Sequence, residues 1–210
     1  MTLGSADVDD PAARAARAQL IALCARLLAE EVDAPLLRAL ADPRLREAMA
    51  PLGVSFIDDD VLALGEARAL EELAAEYCRL FVLPGAPCPP YQSAFTGAAL
   101  LGARHADRVE EVAARHGLAI NRPARVVTSD HIAVQLALLA AAFGREPDDT
   151  GAATEILERL LVPWAPAYFS ALAGAARLPT WRAVACLAPA LVQAGVGSAT
   201  SASAGHDAIN

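Results

Sequence analysis

The chain contains no lysine; all 17 of its basic residues are arginine. That absence excludes a Walker-type phosphate loop, whose Lys reaches the terminal phosphates, and chemistry that runs through a lysine Schiff base. Positive charge is also in deficit. Seventeen basic residues face 25 acidic ones, giving a formal charge of −8 and a pI near 5.0. Nucleic-acid binding, which rests on cationic contacts to phosphate, is excluded as a main activity. Acidic surface steers cationic partners, and it also serves solubility alone.

Other shortages narrow the classes further. Cys24, Cys78, Cys88 and Cys186 form no CxxC pair, so a structural zinc site does not fit. Cys78 and Cys88 are near enough in sequence to pair across a loop, but reduced thiols are the simpler expectation. No glutamate precedes a histidine by three residues, which removes the pattern of a carboxylate-bridged di-iron bundle. His105, His116 and His206 read as surface or loop residues, so no metal is expected. The apolar run Leu160–Ala176 is broken by Pro163 and Pro166 and falls short of the ~20 residues a membrane helix needs. MTLGSADVDD, at the start, is acidic and has no apolar core of a secretory or twin-arginine signal, so the expected location is cytoplasmic without stable membrane insertion. Alternating strand patterns and internal repeats are missing too.

What remains is rich in alanine and leucine: 55% of residues are hydrophobic, yet only 5% are aromatic. That mixture favours close-packed helices. Asp10, Asp33 and Asp42 each cap a helix entered through a proline, Pro11, Pro35 or Pro43. The triplet Asp58–Asp60 opens a longer helix running to Phe81. Gly97–Arg104 is weakly helical, Asp107 starts a helix that Gly117 stops, and 118–127 is irregular. Thr128 or Ser129 caps the next helix, and Asp149 or Thr150 another. Pro166 starts one more, and Thr180 caps a last helix from Trp181 to about Gln193, which Pro189 kinks. The reading is all-α, about eight to ten helices in one domain over 1–195, with a disordered tail over 196–210.

The segment Glu76–Phe95, EYCRLFVLPGAPCPPYQSAF, stands apart. Pro84, Pro87, Pro89 and Pro90 each fix φ and remove a donor, so the loop is neither helix nor central strand, yet it is stiff. Tyr77, Leu80, Phe81 and Tyr91 give it apolar edges. Such a loop suits the binding of another chain, because its rigidity lowers the ordering cost. Asp130–His131, read as the first turn of a helix, offers a carboxylate and an imidazole. Neighbours on a helix do not face one another, so the pair makes a poor proton relay and a better peptide receptor. The alternative is a helix-start carboxylate beside an incidental histidine. Pro163-Trp164-Ala165-Pro166 reads as a rigid junction around a packing anchor.

In order, Tyr77-Cys78-Arg79-Leu80-Phe81, the loop through Pro89-Pro90-Tyr91-Gln92-Ser93, Asp130-His131-Ile132 and Leu161-Val162-Pro163-Trp164-Ala165-Pro166 resemble the TorD/DmsD family of molybdoenzyme maturation chaperones, relatives of the NarJ-type proteins. The resemblance spans roughly Ala12–Gln193. The chain departs from the family pattern at Leu83, Gln92, Ser129 and Leu160, where Gly, Glu, Pro and His are common.

The resemblance implies a non-enzymatic chaperone that binds the leader peptide, often twin-arginine, of a molybdopterin-dependent oxidoreductase and holds the apoenzyme for cofactor insertion. It implies a peptide site over Tyr77, Leu80, Phe81, Pro84, Pro89, Pro90, Tyr91, Ser93, Asp130 and His131, with Asp130 pairing a leader arginine or a backbone donor. No cofactor is expected; guanine-nucleotide binding enters through the resemblance alone. Monomer and homodimer both stay open. Two other readings compete: a helical nucleotide-binding hydrolase using Asp130 and His131, and a purely structural helical interaction protein. The receptor idea makes one geometric demand, that the proline loop and the Asp130–His131 helix start be neighbours.

Overall fold

The structure, a computed structural model, describes residues 10–145 and 150–204, without the side chains of 150 and 194–204. Eleven α-helices and no strand occur among the described residues. The first three begin as the caps predict. In α1 (Pro11–Ala29), α2 (Ala34–Leu40) and α3 (Pro43–Met49), the carboxylates of Asp10, Asp33 and Asp42 accept from Ala12, Leu36 and Arg44 N–H groups. The expected long helix from Asp58 is two helices, α4 (Asp59–Ala63) and α5 (Glu66–Tyr77). Gly65, at φ +82°, turns the chain between them.

After α6 (Gln92–Phe95), residues 97–102 form turns and not the expected weak helix. Positive-φ glycines at 97 and 102 explain the difference. The next helix, α7 (Ala103–Arg115), starts four residues before Asp107. Neither Thr128 nor Ser129 caps α8 (Ile132–Phe143). Its N-cap is His131, whose Nδ1 accepts from Ala133 N–H at 3.1 Å. Asp130 and His131 thus precede the helix and are not in its first turn. α9 begins at Thr150 (Thr150–Glu155); Asp149 lies outside the described residues.

α10 (Ala165–Ala175) carries Pro166 in its first turn, as expected. The last helix, α11 (Pro179–Ala204), starts before Thr180 and runs past Gln193. Thr180 is not its cap: the hydroxyl is buried and donates to the Phe56 carbonyl at 2.6 Å. The backbone of α11 is helical to Ala204, within the segment expected from residue 196 to be a tail. Residues 205–210 lie outside the described set.

The core is built on α8. It is buried around most of its circumference, at Ile132, Val134, Leu136, Leu138 and Leu139 among others, as a helix this apolar must be; only the small side chains of Ala137 and Ala141 form an exposed strip. α1 packs along it, and α10 and α11 pack against each other beside them. No helix among the described residues is long and apolar enough to cross a membrane.

Candidate functional site

α5 does not simply stop at the proline loop. Cys78–Val82 widens into a π turn, closed by the Leu83 N–H donating to the Cys78 carbonyl at 3.0 Å. A second π turn, Ile156–Leu161, ends α9 before Pro163. Such turns insert an extra residue and re-aim the side chains beyond them. The first is anchored by Glu76 and Arg79, joined through two bonds of 2.7 Å. Arg79 also donates to the Ala175 carbonyl, and Glu76 accepts from the Arg177 N–H, so the turn is tied to the α10–α11 connection. Burial pushes the Glu76 carboxyl up, but Arg79 and the Arg177 N–H outweigh it and hold it below the usual range.

The loop then crosses to the start of α8. Tyr91 and His131 form an antiparallel bridge. Gln92 N–H donates to the Asp130 carbonyl at 3.1 Å, and Ile132 N–H to the Pro90 carbonyl at 2.8 Å. Side chains finish the clasp. Asp130 Oδ2 accepts from the Ser93 N–H at 2.9 Å and the Ser93 hydroxyl at 2.6 Å. Its other oxygen accepts from the Thr128 hydroxyl. Ser93 Oγ accepts from the Gly102 N–H at 2.8 Å, so the turn before α7 joins as well. Gly102 (φ +78°) is needed here: a Cβ would lie 2.9 Å from Thr128 Cγ2.

One polar residue inside the core extends the chain of bonds. Gln135 is 0% exposed; its Nε2 donates to the Asp130 carbonyl and its Oε1 accepts from Trp164 Nε1, both at 3.1 Å. The proline loop, the Asp130–His131 turn and the Pro163–Trp164 junction are therefore one hydrogen-bonded unit. Trp164 is the buried anchor expected, packed on Phe95 and Tyr168 with ring centroids 5.9 and 5.3 Å away.

The geometric demand is met, but the residues are placed differently from a receptor lining. Asp130 is 0% exposed, and its carboxylate is taken up by Ser93 and Thr128. In this arrangement it has no surface for a leader arginine. His131 is also buried; desolvation lowers its pKa to about 4, against a smaller raising effect from Asp130, so the imidazole is neutral at pH 7. Its ring meets the Tyr91 ring edge to face at 4.8 Å. Tyr77, Leu80 and Phe81 form the floor beneath the loop. Tyr77 and Phe81 pack on each other and on Trp181, with centroids 5.1 to 6.3 Å apart. Ser93 and Pro90 are buried. Of the ten predicted residues, Pro84 is exposed and Pro89 and Tyr91 are half-buried.

Sequence reasoning missed the exposed apolar side chains: Val82, Leu83 and Val127 around the proline loop, and Leu100 and Leu101 in the turn before α7. Their signal was weak, since each sits in an irregular stretch. Gln135 had a clear one, as the lone polar residue of IAVQLALLAAAF. A groove of about 510 Å³ lies elsewhere, between Leu40–Ala50 and Gly53–Phe56, and contains none of the ten.

The chemistry of the clasp is positional. A serine nucleophile would need the imidazole between serine and carboxylate. Here Ser93 bonds Asp130 directly, while His131 Nδ1 accepts from backbone. Among the described residues no group of three His, Cys, Asp or Glu side chains is arranged to hold a metal. All four cysteines are free thiols, and burial pushes Cys88 up to about 11 and Cys24 up to about 12, away from thiolate reactivity.

The family model described as nitrate reductase delta subunit matches residues 37–170, which contain every predicted site residue. The chain belongs to the nitrate reductase delta subunit family. That family is the NarJ-type branch of the TorD/NarJ redox-enzyme maturation superfamily, so the resemblance seen in the motifs holds at superfamily level. No curated protein matches the chain. Delta-family proteins are molybdoenzyme maturation chaperones and not a catalytic family, and they bind a molybdoenzyme subunit. The shared segment runs from α2 into α10, so the clasp and both π turns belong to the family's own fold.

Proposed function

We propose that this delta-family chaperone binds the N-terminal leader of a molybdopterin oxidoreductase precursor in the cytoplasm, across the rim of the proline-loop clasp, and holds the apoenzyme until its cofactor is inserted. The observation that carries the reading is the Tyr91–His131 bridge with the buried Ser93–Asp130 bonds. They hold a stiff loop, tipped with apolar groups, in one position before a partner arrives.

Asp130 and His131 act here as positioning residues. Contact falls to groups with surface: Tyr91, Pro84, Pro89 and Val127, the last 66% exposed and tied to Tyr91 through its N–H on the Tyr91 hydroxyl at 3.1 Å. An apolar leader stretch would lie along these in helix-in-groove or extended mode. A leader arginine would find Glu31, which is paired at 2.7 Å with the exposed Arg125. Exposed pairs of this kind hold weakly, so an incoming guanidinium can replace Arg125.

The test is calorimetry with the leader peptide of a molybdoenzyme encoded beside this chain's gene. Saturable binding is expected, weakened about tenfold by Tyr91→Ala, on the order of one lost aromatic contact. Tyr91→Phe, which keeps the ring, should bind nearly as wild type. Absence of heat and of saturation with the wild-type protein would refute the reading.

A further inference from the structure

Arg104 and Arg108 stand where local physics disfavours them. Arg104 is in the first turn of α7, where free N–H groups make the helix end positive and no acidic side chain offsets it. Arg108 lies four residues on, along the same face, where like charges repel. Both are exposed, and neither has an ion-pair partner among the described residues. Asp107, between them in sequence, pairs with neither. The third arginine of α7 is fully engaged: Arg115 pairs with Glu111 and Glu155. In a chain of charge −8, two neighbouring exposed arginines with no ion pair among the described residues make a local cationic patch.

Exposed apolar groups lie beside them. Leu100 is 73% exposed and Leu101 47%, directly before α7. They are held outward by a strained backbone: Gly102 has φ +78° and Ala103, at φ +38°, is the one non-glycine residue with positive φ among those described. The Gly102 N–H bond to Ser93 keeps that turn in place. Val162, after the second π turn, is 45% exposed. The pairs Arg115–Glu155 and Glu111–Arg159 run the π turn antiparallel to α7. The same register carried one turn further sets Arg108 level with Val162. His105, between the two arginines, is held below its ordinary pKa by burial first, then by the charge of Arg104, with Asp130 opposing and Arg108 adding a smaller lowering effect.

We propose that this surface docks a partner protein segment of amphipathic, acidic helix: Leu100, Leu101 and Val162 take its apolar stripe, and Arg104 and Arg108 take flanking carboxylates. A leader rich in arginine is repelled here, so this site is separate from the rim around Tyr91, and either can fail without the other.

The experiment uses two labelled peptides of about 18 residues, five helical turns, with the same leucine stripe and either Glu or Arg on the flanks. In fluorescence anisotropy the Glu peptide is expected to saturate the full-length protein and to weaken with added salt. Arg104→Glu with Arg108→Glu should lower its affinity by about tenfold or more, as loss of charge-assisted contacts implies, and Leu100→Ser with Leu101→Ser should do likewise. Thermal unfolding of the charge-reversed protein should show an unchanged or raised Tm, since Glu suits a helix start. Failure of the Glu peptide to bind, equal binding of both peptides, equal binding by the charge-reversed protein, or a lowered Tm would each overturn the proposal; the last would make the arginines structural.

Discussion

Replacing Asp130 with alanine should be among the most damaging single changes outside the apolar core. The carboxylate accepts three bonds from buried or half-buried donors, one from the Ser93 N–H and two from the hydroxyls of Ser93 and Thr128. The hydroxyls can rotate towards other acceptors; the Ser93 N–H cannot. A buried donor left unsatisfied costs about 1–3 kcal/mol, and loss of a charged acceptor to the other two adds a similar amount. Removal of the carboxylate's own desolvation penalty offsets part of this. The net loss is about 3 kcal/mol, a large share of the ~5–15 kcal/mol a domain has. With a urea slope of ~2 kcal/mol/M, the unfolding midpoint should fall by about 1.5 M. The break should also propagate. Gly102 N–H bonds the Ser93 hydroxyl, so its hydrogen exchange should speed up in the variant. A double-mutant cycle with Ser93→Ala should show strong coupling, since both changes remove one clasp. A midpoint shift under about 0.3 M, with unchanged exchange at Gly102, would show that the clasp contributes little and would refute its positioning role.

His131 should make the protein acid-sensitive. Its folded pKa of about 4 lies below the ordinary 6.5, so above pH 6.5 both folded and unfolded forms are neutral and stability is complete. As pH falls from 6.5 to 4 the unfolded chain takes up a proton that the folded one refuses, and stability drops by up to about 3 kcal/mol. His131→Asn, which keeps an N-cap acceptor, should flatten urea midpoints over that window; an unchanged slope would assign the effect elsewhere. Gly102→Ala should lower Tm through a loss of about 1–3 kcal/mol, because the left-handed φ and the contact with Thr128 both oppose a Cβ. A neutral outcome would mean the turn before α7 yields freely.

The sequence was most legible where structure is local. Asp10, Asp33 and Asp42 cap the helices they precede because the acceptor and its N–H are two or three residues apart. It misled where tertiary bonds outbid a local signal. Thr128 looked like a cap and instead donates to Asp130; Thr180 looked like one and instead donates to Phe56. Asp58–Asp60 begins a helix, but Gly65 separates α4 from α5, a conformational effect that the apolar stripe does not register.

By itself the sequence determined an all-helical chain, the places where most helices begin, the stiffness of the proline loop and the order of motifs that resemble the TorD/DmsD family. It also marked Asp130 and His131 as important. Only the tertiary structure decided what they do. Ser93 and Asp130 are 37 residues apart, and Gln135 and Trp164 are 29 apart. Whether a carboxylate faces a partner or an internal N–H depends on which segments fold against each other, and no local pattern carries that. The same packing buried Tyr77, Leu80 and Phe81 as a floor and left Leu100, Leu101 and Val127 outside. Apolar character is written in the sequence, but burial is a property of neighbours.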